Sequence, residues 1–512
     1  MYKFKILKIE FKSKIHTIKY FILMTLFFIG QSCQNNEKVN FDKLIQKYSI
    51  DKKDSLKLQC LIFIKENIGD ISSEIPVFYN EDGTTIDFRL DTITSENSLN
   101  KILINKKIVF SSNDIKDSDF LPTNLLEENI DKAISDWQKY PWNKNVPKDV
   151  FFNYLLPYKI LNEKPDNWRF RLFQKYKDSI LNYQLKDEND GGKLYMTLRN
   201  EAWSWLEYTG NFTRLTRSPS SAELLAIKKG GCFELSRLFV FIARSAGIPA
   251  TIDIVPMWGK TNGSHASEVF YGPIKEKDII KGYGFQPPDV FKFPAKVFRI
   301  SFKKTNLWTD SIKPVLNNKN YYMPNFLKSD HLLDVTHEHT PTFDLVYKFE
   351  KTQNKTFAYI CVNSYGKWKP IFYGKITPNG AYANFKNMAA DIAYHIAIPE
   401  DSGFKLVGKP FILDSLNNIT YSAPDFRKTV NIHTKRINIG EKSWVKRNRK
   451  YTLKFLDQNN VWKELRTKSC LTDSTLNFSD VPSGAFLILE EKDSKKRLAR
   501  MFLYKNGKQI WY

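Results

Sequence analysis

Two glycines, a cysteine and an apolar run meet at Gly230-Gly231-Cys232, where a turn hands over to a helix. Apolar residues recur at helical spacing from Phe233 to about Ala246. Gly247 then offers the positive φ of a residue just past a helix end, and Pro249 forbids continuation. Cys232 therefore falls in the first turn, where unpaired backbone N–H groups and the positive end of the helix dipole favour a thiolate. Thr251 to Val255 (TIDIV) alternates β-branched residues and reads as a strand, and His265 opens a second strand after a loop rich in Gly, Asn, Ser and Thr. An imidazole beside that sulfur can take its proton during attack and return it to a leaving group. A cysteine taken alone is more often a small buried hydrophobe. The glycine pair, the helix start and the downstream His265 together make Cys232 a candidate nucleophile.

With 512 residues the chain exceeds one core and predicts two to four domains. Lys3, Lys5, Lys8, Lys12, Lys14 and Lys19 precede an apolar run, Phe21 to Gly30, that is too short to span a hydrocarbon layer of ~30 Å comfortably. This is the pattern of an export leader over residues 1–32, ending at Gly30-Gln31-Ser32-Cys33, and it places the protein outside the cytoplasm. Cys60, Cys232, Cys361 and Cys470 are scattered without a C-x-x-C pair, which indicates neither a zinc site nor a dense disulfide framework. An oxidising compartment leaves room for one bridge, from which a catalytic Cys232 must be exempt. The formal charge is +23. Its lysines are spread along the chain without the aromatic-interleaved basic cluster of a nucleic-acid reader, and they fit a surface facing anionic polymers or lipid headgroups.

The stretch from Phe41 to Ile64 reads as helical, Tyr79 to Phe110 as mixed, Asn124 to Tyr140 as a helix after Pro122-Thr123, and Leu194 to Leu206 as a helix beside the cysteine helix. Pro294 to Phe302 alternates like a closing strand. Beyond Ser329, segments such as LVYKFE, FAYICVNS, DIAYHIAIP and AFLILEE predict antiparallel β-sandwich material in two modules, divided between Lys428 and Glu441. Trp368, Trp462 and Trp511 are candidates for stacking on sugars, or for core and edge packing. The THEHT segment places His337 and His339 on one face of a predicted strand near His331, but no carboxylate or cysteine completes a zinc spacing, and no metal is assigned. Glu234 and Arg237 read as a solvated or ion-paired edge. Asn262-Gly263-Ser264 reads as the flexible hinge of a loop over His265.

On these segments the chain resembles the transglutaminase-like superfamily, whose core carries a papain-like cysteine, histidine and aspartate site. The resemblance rests on Gly230, Gly231 and Cys232, on Arg244 to Ala250 (RSAGIPA), and on HASEV from His265 to Val269. The family commonly reads H-A-W-x-E-V, so the aromatic after the histidine is missing and its wall must come from elsewhere. The family's aspartate, which holds the histidine tautomer, has its nearest match at Asp289 in GFQPPD, led by Gly284 and Phe285, with Asp278 and Asp253 as rivals. Leu156, Pro157, Tyr158, Asn162, Glu163, Asn167, Trp168 and Arg169, with Lys159 in place of arginine, resemble a segment of bacterial envelope transglutaminase-like proteins that also carry a β tail. Packing is the simpler role for that segment. Small residues before Cys33 resemble a lipoprotein cleavage site, which implies a lipid on the Cys33 sulfur.

The implied fold class is α+β, a papain/transglutaminase-like core preceded by a helical region and followed by antiparallel β-sandwich modules. The divisions are a leader at 1–32, a helical and mixed region at 33–109, the core at 110–325, and β modules at 326–430 and 431–512. The implied function is a cysteine-dependent acyl transferase or hydrolase at the cell envelope, acting on peptide or side-chain amides. Cys232, His265 and Asp289 would form the site, with no cofactor. The substrate would be a peptide, protein or glycopeptide, and the lipid on Cys33 would hold the protein to the membrane. The alternative is an inactive lipoprotein of the same fold that binds glycan or peptide.

Overall fold

A computed structural model describes residues 37–512 except 89, 187, 272–280, 283–292, 306, 308–321, 440–443, 472–474, 493 and 495–498. The leader, Cys33, Asp278 and Asp289 lie outside the described residues. Among the described residues no helix is long and apolar enough to cross a membrane. The helical stretch expected from Phe41 is two helices, Phe41–Tyr48 and Ser55–Asn67. The polar residues between them form a turn of their own, in which Asp51 accepts from the Lys53 N–H. Ser55–Asn67 packs on Thr123–Lys139 through Leu61, Ile64, Leu126 and Ile130, and Phe41–Tyr48 joins the same cluster through Leu44 and Tyr48. Strands Ser72–Tyr79 and Val109–Lys116 pair antiparallel along their whole length, so the division expected at 109/110 falls inside a paired strand.

The helix Cys232–Ser245 packs on a five-stranded antiparallel sheet in the order Leu332–Asp334, Phe298–Ile300, Ala250–Val255, His265–Phe270, Lys281–Gly282. Helices Trp168–Gln184 and Gly191–Trp203 cover its other sides, with Trp168 against Phe241 (4.7 Å between ring centroids) and Trp203 against Phe239 (5.2 Å). Covered all round, the helix buries its charged residues too. Glu234 and Arg237 are 5% and 1% exposed and pair with Arg214 and Glu163, so of the solvated or ion-paired edge expected for them the ion pairing holds and the solvation does not. Gly247 ends the helix at φ 74°, and a β-carbon there would also meet Tyr140 at 2.7 Å.

The segment around Lys159 is a buried polar clamp. Lys159 Nζ donates to Ser73 Oγ at 2.7 Å and pairs with Asp117 at 2.8 Å, and Tyr158 Oη donates to the same carboxylate at 2.7 Å. Arg169 donates to Asn129 Oδ1 and to the carbonyls of Leu155 and Arg244; Arg244 in turn donates to the carbonyls of Pro157, Lys159 and Ala250. These two buried guanidiniums tie the Leu155–Lys159 carbonyls to the carboxy end of the cysteine helix and the start of the strand that follows it. The segment packs and fastens.

Beyond Ser329 the antiparallel character holds in a seven-stranded sheet, a five-stranded sheet and the pair Asp425–Thr434 with Leu476–Ser483. The expected division at 430 thus falls inside a strand. Phe357–Ser364 is buried at every position, because the sheet is covered on both faces. One hydrophobic cluster runs from the cysteine helix through this sheet to Leu456, Phe486 and Met501. Trp368 is buried beside His395, at 5.2 Å between ring centroids, and offers no face to a sugar. Thr336–His339 forms a short helix and not the expected strand, since four polar residues carry no periodicity to favour either.

Candidate active site

Gly230 and Gly231 are glycines for reasons of space. A β-carbon on Gly230 would lie 2.7 Å from Glu234 Cβ, and one on Gly231 would lie 3.2 Å from Glu234 Oε2. Glu234, at the third helical position, accepts from the Gly231 N–H at 3.1 Å and pairs with Arg214 at 2.5 Å. This bond from the third helical residue back to Gly231 fixes the turn that delivers Cys232 to the helix start. Of the cysteines described, Cys60, Cys361 and Cys470 are buried and Cys232 is half-exposed, with no disulfide among them.

The thiol faces the head of the His265 strand. The backbone N–H groups of Ala266, Phe233 and Cys232 act to lower the pKa of the sulfur, the Ala266 N–H most of the three. Ser236 Oγ donates to the Ala266 carbonyl at 3.2 Å, locking the helix to that strand one turn further on. Glu268, two residues past Ala266, completes the lock. It is buried and accepts from Tyr195 Oη (3.0 Å), Arg199 Nε (2.8 Å) and Ser236 Oγ (3.3 Å). His265 is half-buried opposite Val255, and its ring is stacked on Trp258 at 5.6 Å between centroids and 27° between planes. The aromatic wall missing after the histidine is therefore supplied seven residues earlier in the chain, and Ser267 occupies the strand position instead.

The resting thiolate expected from the helix position is overturned. Burial is the largest influence on the Cys232 thiol and pushes its pKa above the ordinary value. The Ala266 N–H pulls it back, the Glu234 charge raises it, and the helix-start N–H groups lower it further. Burial likewise drives Cys60 up to about 12 and Cys361 well up. A thiol protonated at rest needs a base during attack, and this is the task an imidazole performs. Glu234→Gln should keep the bond to the Gly231 N–H while removing the charge, so the alkylation midpoint of Cys232 should move to lower pH. A pH titration of iodoacetamide labelling that shows the midpoint unmoved or raised would refute the influence assigned to Glu234.

Asp253 is engaged elsewhere. It is fully buried, receives Arg299 Nε and Nη2 at 2.8 Å each, and meets His339 Nε2 at 2.9 Å. Burial acts to raise its pKa, but Arg299 and His339 together hold it below the ordinary carboxylate value. With both oxygens taken, Asp253 is not the partner of His265. Asp289 and Asp278 lie outside the described residues, so the third member of the site stays where the sequence left it. His331 Nδ1 is 2.9 Å from the Phe302 carbonyl. No group of three or more His, Cys, Asp or Glu able to hold a metal is found among the described residues.

One neighbour had no signal in the sequence. Tyr208 pairs with Gly230 in a short parallel bridge and is 65% exposed. Partial burial raises the pKa of its phenol, with smaller electrostatic contributions from Cys232 and Glu234. The segment EYTGN carries no motif, and only the bridge to Lys229–Gly230 brings Tyr208 there.

Residues 187–290 match the family model of the transglutaminase-like superfamily, so the chain carries a transglutaminase-like domain. No curated protein matches the chain in sequence. Among solved structures, the transglutaminase of red sea bream is similar over 85% of this chain and 76% of that one, at 9% identity and a TM-score of 0.21.

Proposed function

We propose that this chain, with its transglutaminase-like domain, is a cysteine-dependent acyl transferase or hydrolase acting on peptide or side-chain amides. The observation that carries the reading is a partly exposed Cys232 at the start of a helix that Ser236 fastens to Ala266, the strand residue next to His265. Cys232 Sγ attacks the amide carbon while His265 takes the thiol proton. The backbone N–H groups at the helix start receive the charge that develops on the carbonyl oxygen. His265 then returns the proton to the departing amine, leaving a thioester. Water or a second amine attacks the thioester, His265 again takes the proton, and the product leaves as the thiol is restored. Water gives hydrolysis and an amine gives cross-linking; hydrolysis is the reading we favour. Asp289 is assigned to hold the imidazole tautomer.

The sequence before residue 37 supports an envelope location, with the leader removed and a lipid on Cys33 holding the protein to the membrane. The test is labelling of Cys232 with iodoacetamide at neutral pH, followed by peptide mass spectrometry. His265→Ala should slow it by about tenfold or more, since the base is gone. Equal rates in the two proteins would sink the reading.

A further inference from the structure

The loop from Trp258 to Gly263, which delivers His265 to its strand, is held by the carboxy-terminal half of the chain. Arg500 is fully buried. Its Nη2 donates to the Gly259 carbonyl at 2.5 Å, and its Nη1 donates to the Asn363 carbonyl and to Asn262 Oδ1, the latter at 3.3 Å. Asn262 also accepts from the Tyr365 N–H at 2.9 Å and donates to the Ala499 carbonyl at 3.0 Å. The Gly263 N–H donates to Ser364 Oγ at 3.1 Å. Gly259 is pressed against the seven-stranded sheet, where a β-carbon would come within 2.4 Å of Ile392. The loop closes on itself through Trp258 N–H to the Gly263 carbonyl at 3.0 Å. The flexible hinge expected at Asn262-Gly263-Ser264 is instead a tethered one.

Among the described residues the guanidinium of Arg500 has only neutral acceptors, and its Nε has no partner. Burial pushes its pKa down to about 9. What the arginine does hold in place is Gly259, whose neighbour Trp258 stacks on His265.

We propose that the carboxy-terminal sheets are part of the catalytic apparatus: Arg500 and Asn262 are positioning residues that fix the loop and, through Trp258, the His265 ring. The catalytic consequence rests on the cysteine–histidine reading above, but the positioning itself does not.

The experiment uses the full chain and compares wild type with Arg500→Gln. Two site-resolved rates are followed against pH by peptide mass spectrometry, namely carbethoxylation of His265 by diethyl pyrocarbonate and alkylation of Cys232 by iodoacetamide. Circular dichroism reports folding. Release of the loop should uncover the imidazole, raising His265 carbethoxylation and shifting its pH profile, while Cys232 alkylation at neutral pH falls by about tenfold. A folded Arg500→Gln protein whose His265 profile overlays wild type overturns the proposal. If Arg500→Gln does not fold, Asn262→Ala at its half-buried position decides by the same two outcomes. A changed His265 profile, in a protein whose Cys232 labelling ignores His265→Ala, keeps the positioning and removes the catalytic reading. The reverse pattern does the opposite.

Discussion

Cys232→Ser is expected to cut hydrolysis of p-nitrophenyl acetate at neutral pH by about a thousandfold, toward the buffer rate. A serine hydroxyl in the same place keeps the size and the surrounding N–H groups but is a far weaker acid, and His265 cannot ionise it to a useful degree in the attack. The activated ester is the suitable probe because it asks only for a nucleophile and an oxyanion site, not for the natural leaving group. His265→Ala should cost about 10²–10⁴ on the same assay, the usual worth of a positioned base. Cys361→Ala, in the fully buried strand Phe357–Ser364, should leave the rate of the folded protein near wild type, because no substrate reaches it. A Cys232→Ser protein that hydrolyses the ester as fast as wild type would end the enzymatic interpretation.

The second large effect lies far from the thiol. Asp117→Ala should destabilise the chain by about 3–5 kcal/mol, since it strands the Lys159 ammonium in the interior. Asp117 and Lys159 are 0% and 2% exposed; without the carboxylate Tyr158 Oη loses its acceptor, and the buried ammonium keeps only the neutral Ser72 carbonyl and Ser73 Oγ. Differential scanning fluorimetry should show a fall in Tm on the order of 10 °C. The nearby pair Lys38–Asp119 is a useful contrast. Both partners are more than half exposed at 3.5 Å, and Asp119→Ala should change stability by no more than about 1 kcal/mol. If the two substitutions have equal effects, the clamp around Lys159 does not fasten the helical region to the core.

The features read correctly from the sequence are those whose causes are local. Gly230, Gly231 and Cys232 announce a helix start because a glycine is needed where the chain passes within van der Waals contact of Glu234, only three or four residues on. Gly247 and Pro249 end that helix by backbone geometry alone, and TIDIV alternates because one face of its strand meets the helix. The continuous apolar runs beyond Ser329 read as strands for the same kind of reason, having both faces covered.

The errors share a different origin. Glu234 and Arg237 read as a solvated or ion-paired edge, and nothing near them in sequence chooses between the two by announcing Glu163, Arg214 and the Pro219 carbonyl. Asp253 looked available to His265 because it is close in the chain. Strand alternation points it instead at Arg299 and His339, 46 and 86 residues away.

A cysteine at a helix start and a histidine opening the second strand after it are thus written in the order of residues, because turn chemistry and periodicity act over a few positions. The ionisation of that thiol, the ring that backs the histidine and the hold on its loop are not. They depend on burial and on groups such as Trp258 and Arg500, which meet the histidine and its loop only when the chain folds back on itself, and no short-range pattern records that approach.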